Sequence, residues 1–198
     1  MKSAASVPVA AGYEVITTAS PRNFDYVKSL GASQVFDYNS QLVVADITEA
    51  LRGKTLAGAL SFGTTGAPAC VKIVGQSTGN KFVSIGTPPV SFATLADDSH
   101  GRFERARVTS RLISSNIALQ IDARTHGVGL KYIFGSSLKN NEVSTVIFTD
   151  FLPAALADGR YRATPAPKVV GHGVADFQQA MDLQRAGVSA SKLVVTLT

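Results

Sequence analysis

The sequence predicts an α/β protein built on a doubly wound, parallel β-sheet. Apolar strands alternate with amphipathic helices along most of the 198 residues, and residues 14–38 contain a complete strand–helix–strand segment. Polar and basic side chains follow the first of these strands, at the sheet edge where open α/β proteins bind ligands. These observations together indicate a sheet protein with a ligand site near residue 20.

Each element of the segment 14–38 has its own signal. The β-branched run 15–18 is typical of a buried parallel strand. Ser20 and Pro21 can open a helix, as the N-cap and the first helical residue. Gly31 can end that helix in a left-handed conformation, and the run 34–38 starts a second strand. The segment is therefore predicted to form a compact βαβ arrangement.

The alternation continues beyond residue 38. Further strands are expected at 56–62, 81–85, 130–134, 166–170 and 192–197, and further helices at 41–52, 67–76, 142–158 and 173–187. In the last helix we expect Phe177, Met181 and Leu183 to face a core. Residues 95–128 do not follow the alternation, and we expect an irregularly packed or disordered insertion there, in which 111–121 could form a helix or a strand.

Composition limits the class of protein. An apolar content of 45% with 17% charged residues is that of a folded globular chain. No apolar run approaches the ~20 residues of a membrane-spanning helix, and we expect neither a signal peptide nor a membrane partner. Cys70 is the single cysteine, which excludes an internal disulfide and favours a cytoplasmic protein.

The distribution of charge argues against a nucleic-acid site, and the spacing of the histidines argues against a metal site. The net charge of +5 includes a cluster of arginines at 102–111, for which a solvated helix face is expected rather than a nucleic-acid surface. A modest positive charge also suits an anionic dinucleotide. His100, His126 and His172 are widely spaced and have no cysteine partners, so no metal site is predicted.

Several short motifs resemble one known family. They are Ala11-Gly-Tyr-Glu-Val15, Ser20-Pro-Arg-Asn-Phe24, Leu30-Gly-Ala32, Asp37-Tyr38, Ser84-Ile-Gly-Thr-Pro-Pro89, Lys131-Tyr-Ile-Phe-Gly-Ser-Ser-Leu138 and Lys192-Leu-Val-Val-Thr-Leu197. The chain resembles the nucleotide-binding part of the medium-chain dehydrogenases/reductases, in the fungal, zinc-independent branch of quinone-oxidoreductase-like and enoyl-reductase-like proteins. The resemblance implies a dinucleotide-binding, Rossmann-like domain at 1–160 and, at 161–198, a segment that returns to the catalytic domain.

The loop after the first strand is the predicted cofactor site. Ser20, Arg22 and Asn23 offer a hydroxyl, a guanidinium fork and an amide to a ribose phosphate. No acidic residue ends the strand to accept the two ribose hydroxyls of NAD, which favours NADP. By resemblance, Lys28 reaches the same phosphate and Tyr38 binds the same end of the cofactor. The alternative is that Ser20 is a plain N-cap and Arg22 a surface cation.

The resemblance implies a second set of cofactor contacts, made at strand ends. Two residues would border the adenosine ribose and six would meet the nicotinamide through backbone groups. They are Gly63 and Thr64, and Ser84, Ile85, Gly86, Phe134, Gly135 and Ser136 respectively. Ordinary turns and strand ends would explain the same residues without a ligand.

The function implied by the resemblance is NADPH-dependent hydride transfer to a small carbonyl substrate, either a quinone or an α,β-unsaturated carbonyl compound. The sequence shows no Gly-rich pyrophosphate turn and no apolar strand before it. We therefore expect a Rossmann-like sheet lacking its first strand, with a C-terminal strand–helix–strand appendage. No catalytic residue is assigned, and a non-catalytic nucleotide-binding or oligomerisation module, including a homo-oligomer, is the alternative.

Overall fold

The computed structural model describes residues 6–63, 65–87, 102–134, 136, 139, 141–161 and 163–197. The chain divides into two compact units. The first unit comprises Met1–Asn39 and Asn140–Thr198, and the second comprises Ser40–Lys139. This division by packing differs from the predicted functional division at residue 160, which stays a prediction.

The first unit begins with the predicted βαβ arrangement. After helix α1 (Ser6–Ala10) come strand β1 (Ile16–Ala19), the 3-10 turn Pro21–Asn23, helix α2 (Phe24–Ser29) and strand β2 (Gln34–Asp37). The two strands pair in parallel, from Ile16 opposite Gln34 to Ala19 opposite Asp37. A small core of Ala19, Val27 and Ala32 lies between the helix and the strands. The prediction for residues 14–38 is confirmed.

Gly31 ends helix α2 as its sequence predicts. Its φ is +95°, a conformation that side chains other than hydrogen disfavour. A Cβ atom at this position would lie 2.8 Å from Cγ1 of Val9 in helix α1. Glycine here thus both ends one helix and allows another to approach the backbone closely.

The C-terminal part of the first unit contains the predicted strand–helix–strand appendage. Its elements are helix α6 (Glu142–Thr145), a π-helical turn (Val146–Phe151), helix α7 (Leu152–Ala157), strand β8 (Pro167–His172), the 3-10 turn Val174–Asp176, helix α8 (Phe177–Ala186) and strand β9 (Lys192–Thr196). Strands β8 and β9 pair in parallel. The expected helix 142–158 is interrupted by the π-helical turn just before Pro153.

One expectation for the appendage is wrong. Phe177, Met181 and Leu183 were expected to face a core, but all three side chains are largely exposed in helix α8. Phe177 and Met181 are four residues apart and share a face that the described residues leave exposed, whereas Leu183, two residues after Met181, lies on the opposite side of the helix. A periodic pattern indicates which face of a helix is apolar, and only packing decides what buries it.

The second unit is organised around a three-stranded parallel sheet. Its elements are helix α3 (Val43–Ala50), strands β3 (Thr55–Leu56) and β4 (Ala59–Ser61), helix α4 (Gly66–Gln76), strands β5 (Thr78–Gly79) and β6 (Phe82–Ile85), helix α5 (Arg102–Thr125) and strand β7 (Gly129–Tyr132). The sheet order is β4-β6-β7, and β3 pairs with β5 alongside it. Ser61, Ile85 and Tyr132 stand opposite one another at the carboxyl ends of the three strands.

Helices cover one face of this sheet. Helix α4 packs against β4 and β6 and lies between α3 and α5, while α5 contacts β7. Val83 and Ile85 point into the resulting core, where they meet Val71 and Val74 of helix α4. Because side chains alternate along a strand, Ser84 points to the opposite face.

Residues 102–125 differ from the expectation of an irregular segment, because they form the long helix α5. Leu119 and Ala123 of this helix are buried in the core of the second unit. The helix has few apolar residues on its inner face and three exposed isoleucines on its outer face, Ile113, Ile117 and Ile121. These isoleucines recur every four residues, which is a helical spacing. The remainder of the expected insertion, 95–101, lies outside the described residues.

Every strand pair among the described residues is parallel. Within this part of the chain, β1 pairs with β2 alone and β4 pairs with β6 alone. The described residues before β1 contain helix α1 and no strand. The predicted α/β class with parallel sheets is confirmed.

Candidate cofactor site

Ser20 stands at the junction between strand β1 and the 3-10 turn. Its backbone is extended, with φ −71° and ψ 147°, as an N-cap residue should be. The side chain, however, makes no capping hydrogen bond to the turn. Its Oγ instead accepts a hydrogen bond of 3.0 Å from Nδ2 of Asn23. This bond uses a lone pair of the oxygen, so the hydroxyl proton stays available to a ligand.

Asn23 connects the loop to the C-terminal part of the first unit. Its Nδ2 donates to Oγ of Ser20 and to Oγ of Ser189, each over 3.0 Å. A primary amide carries two N–H donors, so these two bonds use both. Asn23 was predicted to donate to a phosphate directly, whereas here its amide orients two hydroxyls.

Two cations and one carboxylate surround this loop. Arg22 and Lys28 are exposed, and neither has an ion-pair partner among the described residues. Asp25 lies in the first turn of helix α2 and is also exposed. The local charge is therefore positive, and Arg22 is free to form a bidentate contact with an anion.

Tyr38 follows the neighbouring strand end. Because Ala19 stands opposite Asp37, the next residues, Ser20 and Tyr38, leave adjacent strands at the same edge. The Tyr38 ring is exposed. Asp37 accepts hydrogen bonds from the backbone and side-chain nitrogens of Asn39, so its carboxylate is engaged in the turn. Ala19, which ends β1, is fully buried, and the strand end carries no acid.

The second unit presents its own strand-end edge. The amide of Gly86 donates to the carbonyl of Ser61, and that of Ile133 donates to the carbonyl of Ile85, each over 2.9 Å. These bonds continue the backbone pairing one residue beyond the ends of strands β6 and β7. A Cβ atom at Gly86 would overlap the ring of Phe62, so glycine here lets that ring lie against the backbone.

The remaining predicted residues of the second unit differ in exposure. Gly63, Phe134 and Ser136 are exposed, Ser84 is half-buried, and Ile85 is buried, so that only the backbone of Ile85 can meet a ligand. Thr64 and Gly135 lie outside the described residues. The structure thus brings Ser20, Arg22, Asn23 and Tyr38 together in the first unit and Gly63, Gly86 and Phe134 at one edge of the second.

A thiol and a hydroxyl lie beneath the edge of the second unit. Burial raises the pKa of the Cys70 thiol, and an interaction with the Ser61 hydroxyl offsets part of that rise. Ser61 is only 2% exposed, and its Oγ makes no well-aligned hydrogen bond with a described residue. Cys70 is therefore a neutral thiol at pH 7.

Ser189 is the contact residue that sequence reasoning missed. It lies in the connection between helix α8 and strand β9, and 166 residues separate it from Asn23. The sequence offers no local signal for the contact, because a serine between a helix and a strand is ordinary turn composition. Only the folded chain places it beside the loop.

The described residues hold neither a metal-binding cluster nor a membrane-spanning helix. No group of three or more histidine, cysteine, aspartate and glutamate side chains is placed to hold a metal ion there. Of the helices in that part of the chain, none combines the length and the apolar character needed to cross a membrane.

Curated fungal proteins are similar to nearly the whole chain, although no protein-family model matches it. The dehydrogenase pigH of Monascus ruber is 39% identical over 194 residues, which are 98% of this chain and 51% of the relative. The zinc-binding alcohol dehydrogenase domain-containing protein cipB of Emericella nidulans is 43% identical over 96% of the chain and 50% of its own length. The trans-enoyl reductase himH of Aspergillus japonicus is 31% identical over 99% of this chain and 48% of its own length.

Solved structures show the same fold at low sequence identity. The CurK enoyl reductase superposes with a TM-score of 0.63 at 13% identity, over 96% of this chain and 49% of that one. CurA of Vibrio vulnificus, solved in complex with NADPH, gives a TM-score of 0.58 at 15% identity. The match covers 98% of this chain and 52% of CurA. The chain spans about half the length of the relatives it matches. The fungal relatives and the solved structures of similar fold confirm the resemblance of this chain to the medium-chain dehydrogenase/reductase superfamily.

Proposed function

We propose that this chain forms the nucleotide-binding half of an NADPH-dependent oxidoreductase that reduces a quinone or an α,β-unsaturated carbonyl compound. One observation carries the proposal. The loop after β1 combines a serine hydroxyl that does not cap its turn with an unpaired arginine, at a strand end without an acid. Such a loop favours a phosphorylated ribose over the free hydroxyls of NAD.

The described residues fit the adenosine end of this cofactor. Ser20 and Arg22 would bind the ribose phosphate, with Lys28 adding positive charge from helix α2. The exposed ring of Tyr38 leaves the adjacent strand end, where it can contact the same part of the cofactor. Two carboxylates lie near these cations: Asp25 in helix α2, and Asp37 at the end of β2, which accepts hydrogen bonds from Asn39.

The resemblance also implies contacts to the nicotinamide at Gly86 and Phe134. In the second unit these residues follow the ends of β6 and β7, and the ring of Phe62 lies against the backbone of Gly86. When bound, the cofactor supplies the hydride, and the protein's part is to bind and orient it. No side chain of the described residues is assigned a proton-transfer role.

The relatives support the class of reaction. Among them are a trans-enoyl reductase and several dehydrogenases. The structures of similar fold include the quinone oxidoreductase of Coxiella burnetii and the NADPH complex of CurA. Since the chain spans about half of each, the activity of the whole relatives enters here as a proposal.

Titration of the purified chain with NADPH and with NADH, followed by nicotinamide fluorescence, tests the proposal. We expect NADPH to bind about tenfold more tightly, because one charge-assisted contact to the phosphate distinguishes the two. Ser20→Asp should reverse this preference, since an acid at the strand end repels the phosphate and accepts ribose hydroxyls. Equal affinity for the two nucleotides, or no binding of either, would contradict NADP specificity.

A second assay separates the oxidoreductase from the non-catalytic module. NADPH oxidation is followed at saturating cofactor with a quinone and with an α,β-unsaturated ketone. Turnover of either substrate supports the oxidoreductase. Tight NADPH binding without turnover supports a nucleotide-binding module and overturns the catalytic part of the proposal.

A further inference from the structure

Ser189 lies in a connection with an unusual backbone. Gly187 has a φ of +101° after helix α8, and Ala190 has a φ of +49° before strand β9. Ala190 is the one non-glycine residue with a positive φ in the described part of the chain. A left-handed alanine costs free energy and persists only where the surrounding structure holds it. The connection is therefore held in a defined shape that places Ser189 against the loop.

The side-chain amide of Asn23 contacts two serine hydroxyls, those of Ser20 and Ser189. Oγ of Ser20 and Oγ of Ser189 each accept from Nδ2 over 3.0 Å, and Oγ of Ser189 also donates to Oδ1 over a long 3.4 Å. All three side chains are partly buried. A serine that accepts one hydrogen bond keeps its own O–H for a second partner. The hydroxyl proton of Ser20 is therefore available to a ligand, and that of Ser189, whose bond to Oδ1 is long, can turn to a stronger acceptor such as a phosphate oxygen.

We infer that Ser189 is a specificity-determining residue of the cofactor site, which donates its hydroxyl to the same ribose phosphate as Ser20 and Arg22. Asn23 is then a positioning residue that orients the two serines. The inference rests on the proposed NADP site and extends it to the C-terminal segment of the chain. A phosphate has several acceptor oxygens, enough for two hydroxyls and a guanidinium together.

A purely structural role for Ser189 makes a different prediction. If the serine only ties the C-terminal segment to the loop, its removal lowers stability and affects both nucleotides alike. If it contacts the phosphate, its removal weakens NADPH and leaves NADH unchanged. The ratio of the two dissociation constants therefore distinguishes the roles.

The test uses the full chain with Ser189→Ala, Ser189→Thr and the matched control Ser191→Ala, a serine of the same connection outside the contact. Dissociation constants are measured for NADPH and NADH, and for the fragments adenosine 2′,5′-bisphosphate and AMP. We expect Ser189→Ala to weaken NADPH and the bisphosphate about tenfold, with NADH and AMP unchanged. The threonine variant should keep the affinity of the unmodified chain, and so should Ser191→Ala.

The Asn23→Ala variant tests the positioning role. We expect it to lower NADPH affinity, and the double variant with Ser189→Ala should lose less than the two single losses combined. Thermal unfolding of each variant checks that it folds, and Ser189→Thr keeps the test valid if the alanine variant does not.

The outcomes separate this inference from the proposed function. If the preference for NADPH over NADH is the same with and without the Ser189 hydroxyl, the inference is overturned and the proposed function is left intact. An unmodified chain that does not discriminate between NADPH and NADH overturns both. A loss of NADPH affinity in Ser191→Ala as large as in Ser189→Ala also overturns the assignment to Ser189.

Discussion

The side-chain amide of Asn116 donates a hydrogen bond of 3.2 Å to the hydroxyl of Tyr132. This contact joins the middle of helix α5 to the last strand of the three-stranded sheet. Burial raises the pKa of Tyr132, and the hydrogen bond from Asn116 offsets part of the rise. Helix α5, of which the sequence predicted a solvated helix face at 102–111, is thus bound to the sheet by a polar contact as well as by its apolar residues.

Substitution of Leu119 by alanine should destabilise the second unit through helix α5. Leu119 is 7% exposed in the core, and removing such a side chain costs about 2–5 kcal/mol. Ile117 of the same helix is 55% exposed and provides the matched control, with an expected loss of about 0.5 kcal/mol or less. Urea unfolding of the two variants measures the difference. Equal losses would show that α5 does not pack as described.

Gly86→Ala should disturb the strand-end edge of the second unit. The new methyl group would overlap the ring of Phe62, which must then move away from the backbone. Overpacking of this kind costs about 1–3 kcal/mol. The double variant with Phe62→Ala should show a smaller loss than the two single losses combined, because the smaller side chain removes the clash. Additive losses in thermal unfolding would refute the contact.

Charge changes around the loop should alter NADPH affinity in opposite directions. Arg22→Ala removes the guanidinium and should weaken NADPH about tenfold, whereas Asp25→Asn removes a repulsion and should strengthen binding about twofold. Arg185→Gln removes one positive charge from helix α8, where Arg185 already pairs with Asp182, and serves as the control for net charge. Both effects should shrink at high salt. An Arg185 effect as large as that of Arg22 would indicate a general charge effect instead.

The Cys70 thiol should react slowly in the folded chain. Because burial raises its pKa, the reactive thiolate is a smaller fraction at pH 8 than in an unfolded chain. The pH at which the rate of alkylation by iodoacetamide reaches half its maximum should lie above the ordinary 9.0 of the thiol. The same chain in concentrated urea should show a midpoint near that ordinary value. A folded-state midpoint below it would contradict the burial of Cys70.

Local sequence signals were sufficient to predict the βαβ arrangement at residues 14–38. The β-branched run of β1, Pro21 after it and Gly31 at the end of α2 each act within a few residues of sequence, and the structure has each element where predicted. The strand expected at 56–62 is instead divided into β3 and β4 around Gly58, which has a φ of +144°. A single glycine inside an apolar run is a weak signal for such a break.

The sequence predicted which residues form the candidate site better than it predicted what each residue does there. Ser20 and Arg22 could be selected because they follow a strand, which is a local property of the sequence. Whether the hydroxyl of Ser20 caps the turn or faces the amide of Asn23 depends on side-chain geometry. That geometry also changes the predicted role of Asn23, since its two donors are engaged by two serines.

The sequence by itself determined the alternation of parallel strands and helices and the basic loop after β1, because hydrophobic period, turn residues and caps act over short distances. The tertiary structure alone decided the helical packing of α5, the exposed apolar face of α8 and the contact between Asn23 and Ser189. Each of these depends on residues far apart in the chain, whose proximity is set by how the elements pack and not by the pattern within any one of them.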